Sequence, residues 1–257
     1  MKQSFFNLAM AIGTITALSL PSFSVAAEWT EIKDRGQIIV GVKDNLRPLG
    51  FTDAKGNLAG LEIDIARKLA AELLGDSEAI EFVPVSNKER LQVVLDDKVD
   101  LAIARISVTT SRSRIVEFSP YYYLDGTGLV TKDANIKNID SLSRATIAVL
   151  ENSATIAVIR NRLPNATLIG VDSYAGALKL LETQQADAFA GDRSVLTGWI
   201  QEYPEYKLLP ERLSGAPLSI VMPRGLQYQE LRDKVNDAIA RWQESGWLQE
   251  RIEYWGL

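Results

Sequence analysis

Short apolar runs alternate with amphipathic stretches along this chain, and that rhythm predicts its elements. Residues 31–36 read as a short helix closed by Gly36, and residues 37–42 as a strand buried on both faces. A loop over 45–51 and a turn at Lys55-Gly56-Asn57 lead into a helix over 61–74. Its Leu61, Ile65, Leu69, Ala70 and Leu73 share one face. A strand at 80–85, a second helix at 88–95 and a third strand at 101–104 follow. After an apolar strand at 129–131 the pattern restarts. Strands at 146–150, 167–171 and 187–190 alternate with helices at 152–162 and 174–183. A strand at 218–222, a helix at 228–243 with Leu231, Val235, Ala238, Ile239 and Trp242 on its apolar face, and a Trp-rich terminal helix complete the chain. This alternation predicts an α/β protein with largely parallel sheets flanked by helices.

The two halves echo each other. Residues 95–105 and 182–192 both read as a helix end, a turn, an aspartate opening a strand, and a charged residue closing it. The aspartates are Asp100 and Asp187; the closing residues are Arg105 and Asp192. Ligands of open α/β sheets sit beyond the C-terminal ends of the strands. Arg105 and Asp192 therefore take equivalent places in two lobes and face each other across a cleft.

Composition narrows the chemistry. The 257 residues are 46% apolar, enough for a core in each of two modest lobes. Outside the N-terminus no apolar run reaches the roughly 18 residues of a membrane span. A net charge of −5 argues against nucleic acid, whose phosphates need a basic footprint. The chain has no histidine, hence no Ser-His-Asp triad, imidazole base or histidine metal site. It has no cysteine, hence no thiol nucleophile, zinc–thiolate cluster or disulfide. No cofactor or metal is expected. Residues 1–27 read as a cleaved signal peptide: Lys2, an apolar run over 5–20, then small residues ending in Ser24-Val25-Ala26-Ala27. A lipid anchor needs a cysteine at the cut, so a soluble periplasmic monomer is expected.

The most informative stretch is 100–119. It passes from a strand into a hydroxyl-rich loop, where Ser107, Thr109, Thr110 and Ser111 are natural helix caps ahead of Arg112. A helix N-terminus carries unpaired N–H groups and partial positive charge. A guanidinium one turn in adds a planar fork that grips a carboxylate. The stretch reads as a carboxylate receptor, and an ordinary strand–loop–helix connection with a surface arginine fits the same pattern.

Ser107-x-Thr109, Arg112 and then Glu117-Phe118-Ser119-Pro120-Tyr121-Tyr122 also resemble the signature of the polar-amino-acid family of periplasmic substrate-binding proteins of ABC importers. The likeness extends over nearly all of the chain after residue 30. It implies two Rossmann-like lobes with a cleft between them, the type II periplasmic binding protein fold. Residues 28–122 and 218–257 would form the first lobe and 123–217 the second, with crossings near 122–126 and 214–218. The C-terminal helices would pack back on the first lobe. The resemblance further implies that Arg112, with the Thr109 backbone N–H and the Ser107 hydroxyl, grips the carboxylate of a free amino acid. Asp192 would take the ammonium from the other lobe, and an inner-membrane ABC permease would receive the ligand. A helix N-cap ahead of Arg193 is the plain alternative for Asp192. Ser153 and Thr155 resemble the family's Gly-Ser-Thr loop, from which Asn152 and Ala154 depart, and capping accounts for both hydroxyls equally.

Side-chain preference rests on what differs from the family. Binders of cationic amino acids carry an acid where Lys43 stands, and members commonly place aromatics near Leu46 and Asn87. Here Lys43 and Arg47 enter from the 41–49 loop with Arg105 nearby, and 85–90 resembles the segment of glutamate/aspartate binders. Surplus positive charge and a polar wall suit glutamate or aspartate, then glutamine or asparagine. Alternatively, Lys43 and Arg47 point to solvent and Arg105 pairs with a protein carboxylate. An enzyme on this fold needs a proton-transferring carboxylate in the cleft. Glu151 is the one candidate and has no evident partner, so binding without turnover is expected. A ligand sensor serving a membrane receptor uses the same cleft.

Overall fold

The computed structural model describes residues 28–151 and 153–257, so the expected signal segment at 1–27 lies outside the described residues. Two five-stranded sheets carry the fold. The first runs Ile80–Pro84, Ile38–Val42, Leu101–Ile103, Ala216–Met222, Glu117–Asp125. Its first three strands are parallel, and Ala216–Met222 is antiparallel to both neighbours. The second repeats the plan with Thr167–Val171, Thr146–Leu150, Ala188–Asp192, Thr127–Thr131 and Lys207–Leu208. Here too the first three are parallel and Thr127–Thr131 is antiparallel to both neighbours. Helices cover parallel strands on both faces, which is why Ile38–Val42 is buried at all five positions.

The internal echo has a physical cause. Asp100 and Asp187 each precede the third strand of a sheet and make the same two bonds to the second strand beside it. The Asp100 N–H donates to the Ile39 carbonyl (2.9 Å), and its Oδ2 accepts from the Ile39 N–H (2.7 Å). The Asp187 N–H donates to the Thr146 carbonyl (2.8 Å), and its Oδ2 accepts from the Thr146 N–H (2.7 Å). Each carboxylate extends the ladder by one rung where the backbone pairing has not begun. They differ in burial: Asp100 is fully buried and also pairs with Arg35, whereas Asp187 is exposed.

Packing assigns the C-terminal helices. Leu231, Val235, Ile239 and Trp242 of Gln229–Glu244 join Ile38, Val40, Ile65 and Leu69 in one buried cluster, and Leu248 extends it. Each such side chain contributes about 1.5–3 kcal/mol by leaving water, so these helices hold to the first sheet. The second sheet has a cluster on each face, one around Ile147 and Ile159, the other around Phe189, Leu196 and Trp199.

Between Glu117–Asp125 and Thr127–Thr131 the chain changes sheet at Gly126, and it returns through Ser214 and Gly215 to Ala216–Met222. The two crossings touch. A Cβ on Gly126 would stand 1.9 Å from the Ser214 carbonyl oxygen, so this approach tolerates only glycine. Pro120 lies inside the first crossing strand without an N–H to give, and the facing ladder shifts register on either side of Ser219. Tyr122 is buried under this strand, while Tyr121 is exposed.

Some expected elements need correction. The 45–51 loop contributes Asn45–Leu46 and Gly50–Thr52, which pair with each other and with Leu58–Ala59 as a small sheet. The helix over 88–95 contracts to Gln92–Leu95 behind turns at Ser86 and Arg90. No long helix follows Arg112: Arg112–Arg114 is a single 3-10 turn. Val108, Thr109, Thr110, Ile115 and Val116 are β-branched, and Ser111 and Ser113 compete for backbone partners, so the segment propagates no helix. One turn carries no useful macrodipole, and the anion-binding helix end expected there is withdrawn.

Candidate functional site

The site forms where the third strands of both sheets end. Arg105 follows Leu101–Ile103 and takes a left-handed backbone with φ of 50°, a conformation uncommon for a residue with a Cβ. Its surroundings hold it there. The Arg105 N–H donates to Glu62 Oε1 (2.6 Å), and its carbonyl accepts from Arg90, which also donates to the Ala104 carbonyl (2.9 Å). Such strain persists only where neighbours over-determine it, and here it aims the side chain out of the first sheet.

Arg105 then reaches across to pair with Asp192, which closes Ala188–Asp192 in the second sheet; Asp125 stands 4.0 Å away. Burial opposes the Arg105 charge, but Asp192 and then Asp125 outweigh it and hold the guanidinium above its ordinary pKa. The alternative of Arg105 paired with a protein carboxylate is the arrangement found. The carboxylate is the very one assigned to the ligand's ammonium. The N-cap alternative for Asp192 fails, because its side chain makes no capping bond to Arg193–Glu202. Asp125 does that work: its Oδ1 accepts from Ser194 N–H (3.1 Å) and Gly126 N–H (2.8 Å), and its Oδ2 from the Ser194 hydroxyl (2.5 Å).

Arg112 lies beside Arg105, half-buried. Its Nη1 donates to the Ser107 carbonyl (2.8 Å) and hydroxyl (2.9 Å). Burial, and then Arg105, lower its pKa. Among the described residues no carboxylate pairs with it. Ser107 and Thr109 therefore serve the arginine first: Ser107 fixes the guanidinium, and Thr109 Oγ1 accepts from the Arg112 N–H (3.3 Å).

The other expected contacts disperse. Lys43 is 5% exposed and donates to the Val85 carbonyl (2.7 Å), so it faces neither solvent nor an open pocket; burial lowers its pKa. Arg47 is exposed and lies 3.8 Å over the Phe51 ring. Leu46 lines a groove of about 320 Å³ opposite Tyr174 and Leu178. Asn87 is exposed in a turn. Ser153 Oγ accepts from the buried Thr155 N–H (3.1 Å), which is a cap and not an offered donor. Glu151 lines a groove built wholly from the second sheet's layer, with Arg160.

Sequence reading missed Glu62, Arg90, Asp125 and Tyr174. Glu62 left a signal: it shares the apolar face of Leu61–Leu74 with Ile65, Ala66 and Leu69. It is fully buried, accepts the Tyr122 hydroxyl (2.5 Å), and its Oε2 has no partner. Burial pushes its carboxyl up, against the opposing pull of Tyr122 and Arg105. Burial, with Arg105 and Arg112, brings the Arg90 guanidinium down to about 10. Burial also raises Tyr174, which feels Arg105 and Asp192. Lys43, Arg90, Arg105 and Arg112 thus stand among Glu62, Asp125 and Asp192, four cationic side chains to three carboxyls, and burial raises the pKa of Glu62 and of Asp125.

A raised carboxyl binds its proton more tightly in the native state, so its stabilising contribution holds below the ordinary value of 4.5 and is lost as pH rises through the raised one. Over that window the thermal midpoint of wild type should therefore fall relative to that of Glu62→Gln, which has no such proton to lose. Melting curves from pH 4 upward check this, and an unchanged slope in the variant refutes it.

The lobes meet at Gly198, where a Cβ would stand 2.3 Å from the Arg47 carbonyl oxygen. Nearby, Gln201 Nε2 donates to the Trp255 carbonyl (2.9 Å). Gly198→Val should hold the lobes apart, as expected for overpacking a tight contact. Small-angle scattering should give a larger radius of gyration than wild type; equal radii would exclude the effect.

Comparison with known proteins agrees with this architecture. The description "bacterial extracellular solute-binding proteins, family 3" matches residues 38–257. The chain is 33% identical over 193 residues to the glutamine-binding protein of Geobacillus stearothermophilus, covering 74% of each chain. It is 28% identical over 227 residues to the ABC transporter glutamine-binding protein GlnH of Bacillus subtilis (strain 168), covering 87% of this chain and 82% of that one. Among solved structures, an ancestral cationic amino acid solute-binding protein superposes with a TM-score of 0.76 at 25% identity, covering 88% of this chain and 98% of that one. With two sheets of matching topology joined by two crossings, this chain has the type II periplasmic binding protein fold and belongs to family 3 of the bacterial extracellular solute-binding proteins.

Proposed function

We propose that this protein captures a free polar amino acid in the periplasm by closing two lobes around it, and delivers it to an ABC permease. The observation that carries the reading is Arg112: a half-buried guanidinium, fixed by Ser107, with no carboxylate opposite it among the described residues. A ligand carboxylate supplies the missing partner, at about 1.5–3 kcal/mol per charged hydrogen bond. The closing bodies are residues 28–125 with 216–257 and the residues between Gly126 and Gly215, a shift of a few residues from the expected 28–122, 218–257 and 123–217, because Glu117–Asp125 and Ala216–Met222 both run in the first sheet. Glutamine fits the names of the relatives. Glutamate or aspartate is the second reading, favoured by the surplus of cations around Arg105. Binding without turnover fits the carboxyls of the site, since Glu62, Asp125 and Asp192 are all engaged by protein donors. Calorimetry against glutamine, glutamate, aspartate, arginine and leucine, with mass spectrometry of the recovered ligand, tests the proposal. Saturable heat with unaltered polar amino acid supports it. No heat with any of them, or conversion of one, defeats it.

A further inference from the structure

The Arg105–Asp192 pair is the feature that ligand capture leaves unexplained. It joins the two sheets directly, and it uses the carboxylate a captured ammonium needs. Arg105 has nowhere else to go. Its side chain is 18% exposed, and its Nε is already buried without a partner. Lys43, Arg90 and Arg112 surround it with like charge. Asp125, 4.0 Å away, is committed to Ser194 and Gly126.

Resting on the proposed capture of an amino acid, we infer that Arg105 is its specificity-determining residue: it links the two sheets through Asp192, yields that carboxylate to the incoming ammonium, and turns to an oxygen on the ligand's side chain. The exchange keeps one cation on Asp192 and transfers the need for an acceptor to the ligand. A side-chain carboxylate answers it best and an amide carbonyl second. An apolar side chain leaves the guanidinium stranded in a nearly closed site, and a cationic one adds to the repulsion. Selectivity then comes from a charge the ligand must neutralise and not from the shape of a pocket.

The test compares wild type with Arg105→Ala and Arg105→Lys, each verified as folded by circular dichroism. Scattering of the ligand-free proteins should show a larger radius of gyration for Arg105→Ala, with Arg105→Lys in between. Calorimetry should show glutamate losing about tenfold or more in affinity in Arg105→Ala, while leucine is unchanged or gains. A uniform change for all ligands, or an unaltered glutamate-to-leucine ratio, overturns the inference. If wild type takes up no free amino acid, the capture reading fails instead. Scattering then still decides the latch, and equal radii for wild type and Arg105→Ala would remove it.

Discussion

Arg112→Ala is expected to lower affinity for every amino acid ligand by at least about a hundredfold, to the point where calorimetry shows no saturable heat. Removing one partner of a desolvated, hydrogen-bonded charge pair costs roughly 2–5 kcal/mol, and each 1.4 kcal/mol is a factor of ten. The loss should be the same for glutamine, glutamate and leucine, because the group it serves is common to all. The fold should not notice. Arg112 is half-exposed, pairs with no carboxylate among the described residues, and gives its side-chain bonds only to Ser107. Its removal belongs with surface substitutions, which stay within about 0.5 kcal/mol. Arg112→Lys should keep the charge, lose the planar fork, and bind with intermediate weakness. A melting midpoint equal to wild type with lost binding is the expected signature. Affinity within threefold of wild type would sink the assignment.

What the sequence disclosed and what it hid divide along a physical line. Periodicity is local, so the Leu61–Leu74 and Gln229–Glu244 helices and the buried Ile38–Val42 strand were legible from spacing alone. The echo of Asp100 and Asp187 was legible because one hydrogen-bonding task, capping the start of a third strand, imposes one residue type twice. The helix expected after Arg112 failed because capping hydroxyls mark turns as well as helix starts, and the β-branched residues that follow favour the turn. Lys43 was placed in the site as a free cation, yet its ammonium is spent on the Val85 carbonyl, a partner 42 residues away that no pattern announces. The pairing of Arg105 with Asp192 spans 87 residues and two sheets. Spacing put both at strand ends facing each other, but nothing local to either residue says that they bond to each other. Glu62 could have been noticed as an acid on an apolar face, whereas no periodic pattern marks Asp125 or Arg90 as buried.

The same logic separates two substitutions that look alike in sequence. Asp100→Ala should destabilise the protein by about 3 kcal/mol, and Asp187→Ala by about 1 kcal/mol or less. Both aspartates accept a backbone N–H at 2.7 Å, from Ile39 and Thr146 respectively. Asp100 is fully buried, so its loss leaves the Ile39 N–H without a partner where water does not reach, and it frees Arg35 from its ion pair. Asp187 is exposed, so water replaces the lost acceptor at the Thr146 N–H. For a chain of this size each kcal/mol moves the melting midpoint by about 2–4 °C, which puts the Asp100 variant roughly 6–12 °C below wild type. Asp100→Asn should recover part of that, because the amide oxygen still accepts from Ile39 while the pairing with Arg35 is lost. Ligand affinity of whatever protein remains folded should be unchanged in both single variants, since neither aspartate reaches the Arg105–Arg112 side of its strand. Equal midpoint shifts for the two alanine variants would mean that burial is not what distinguishes them, and that the two lobes rest on their repeated motif equally.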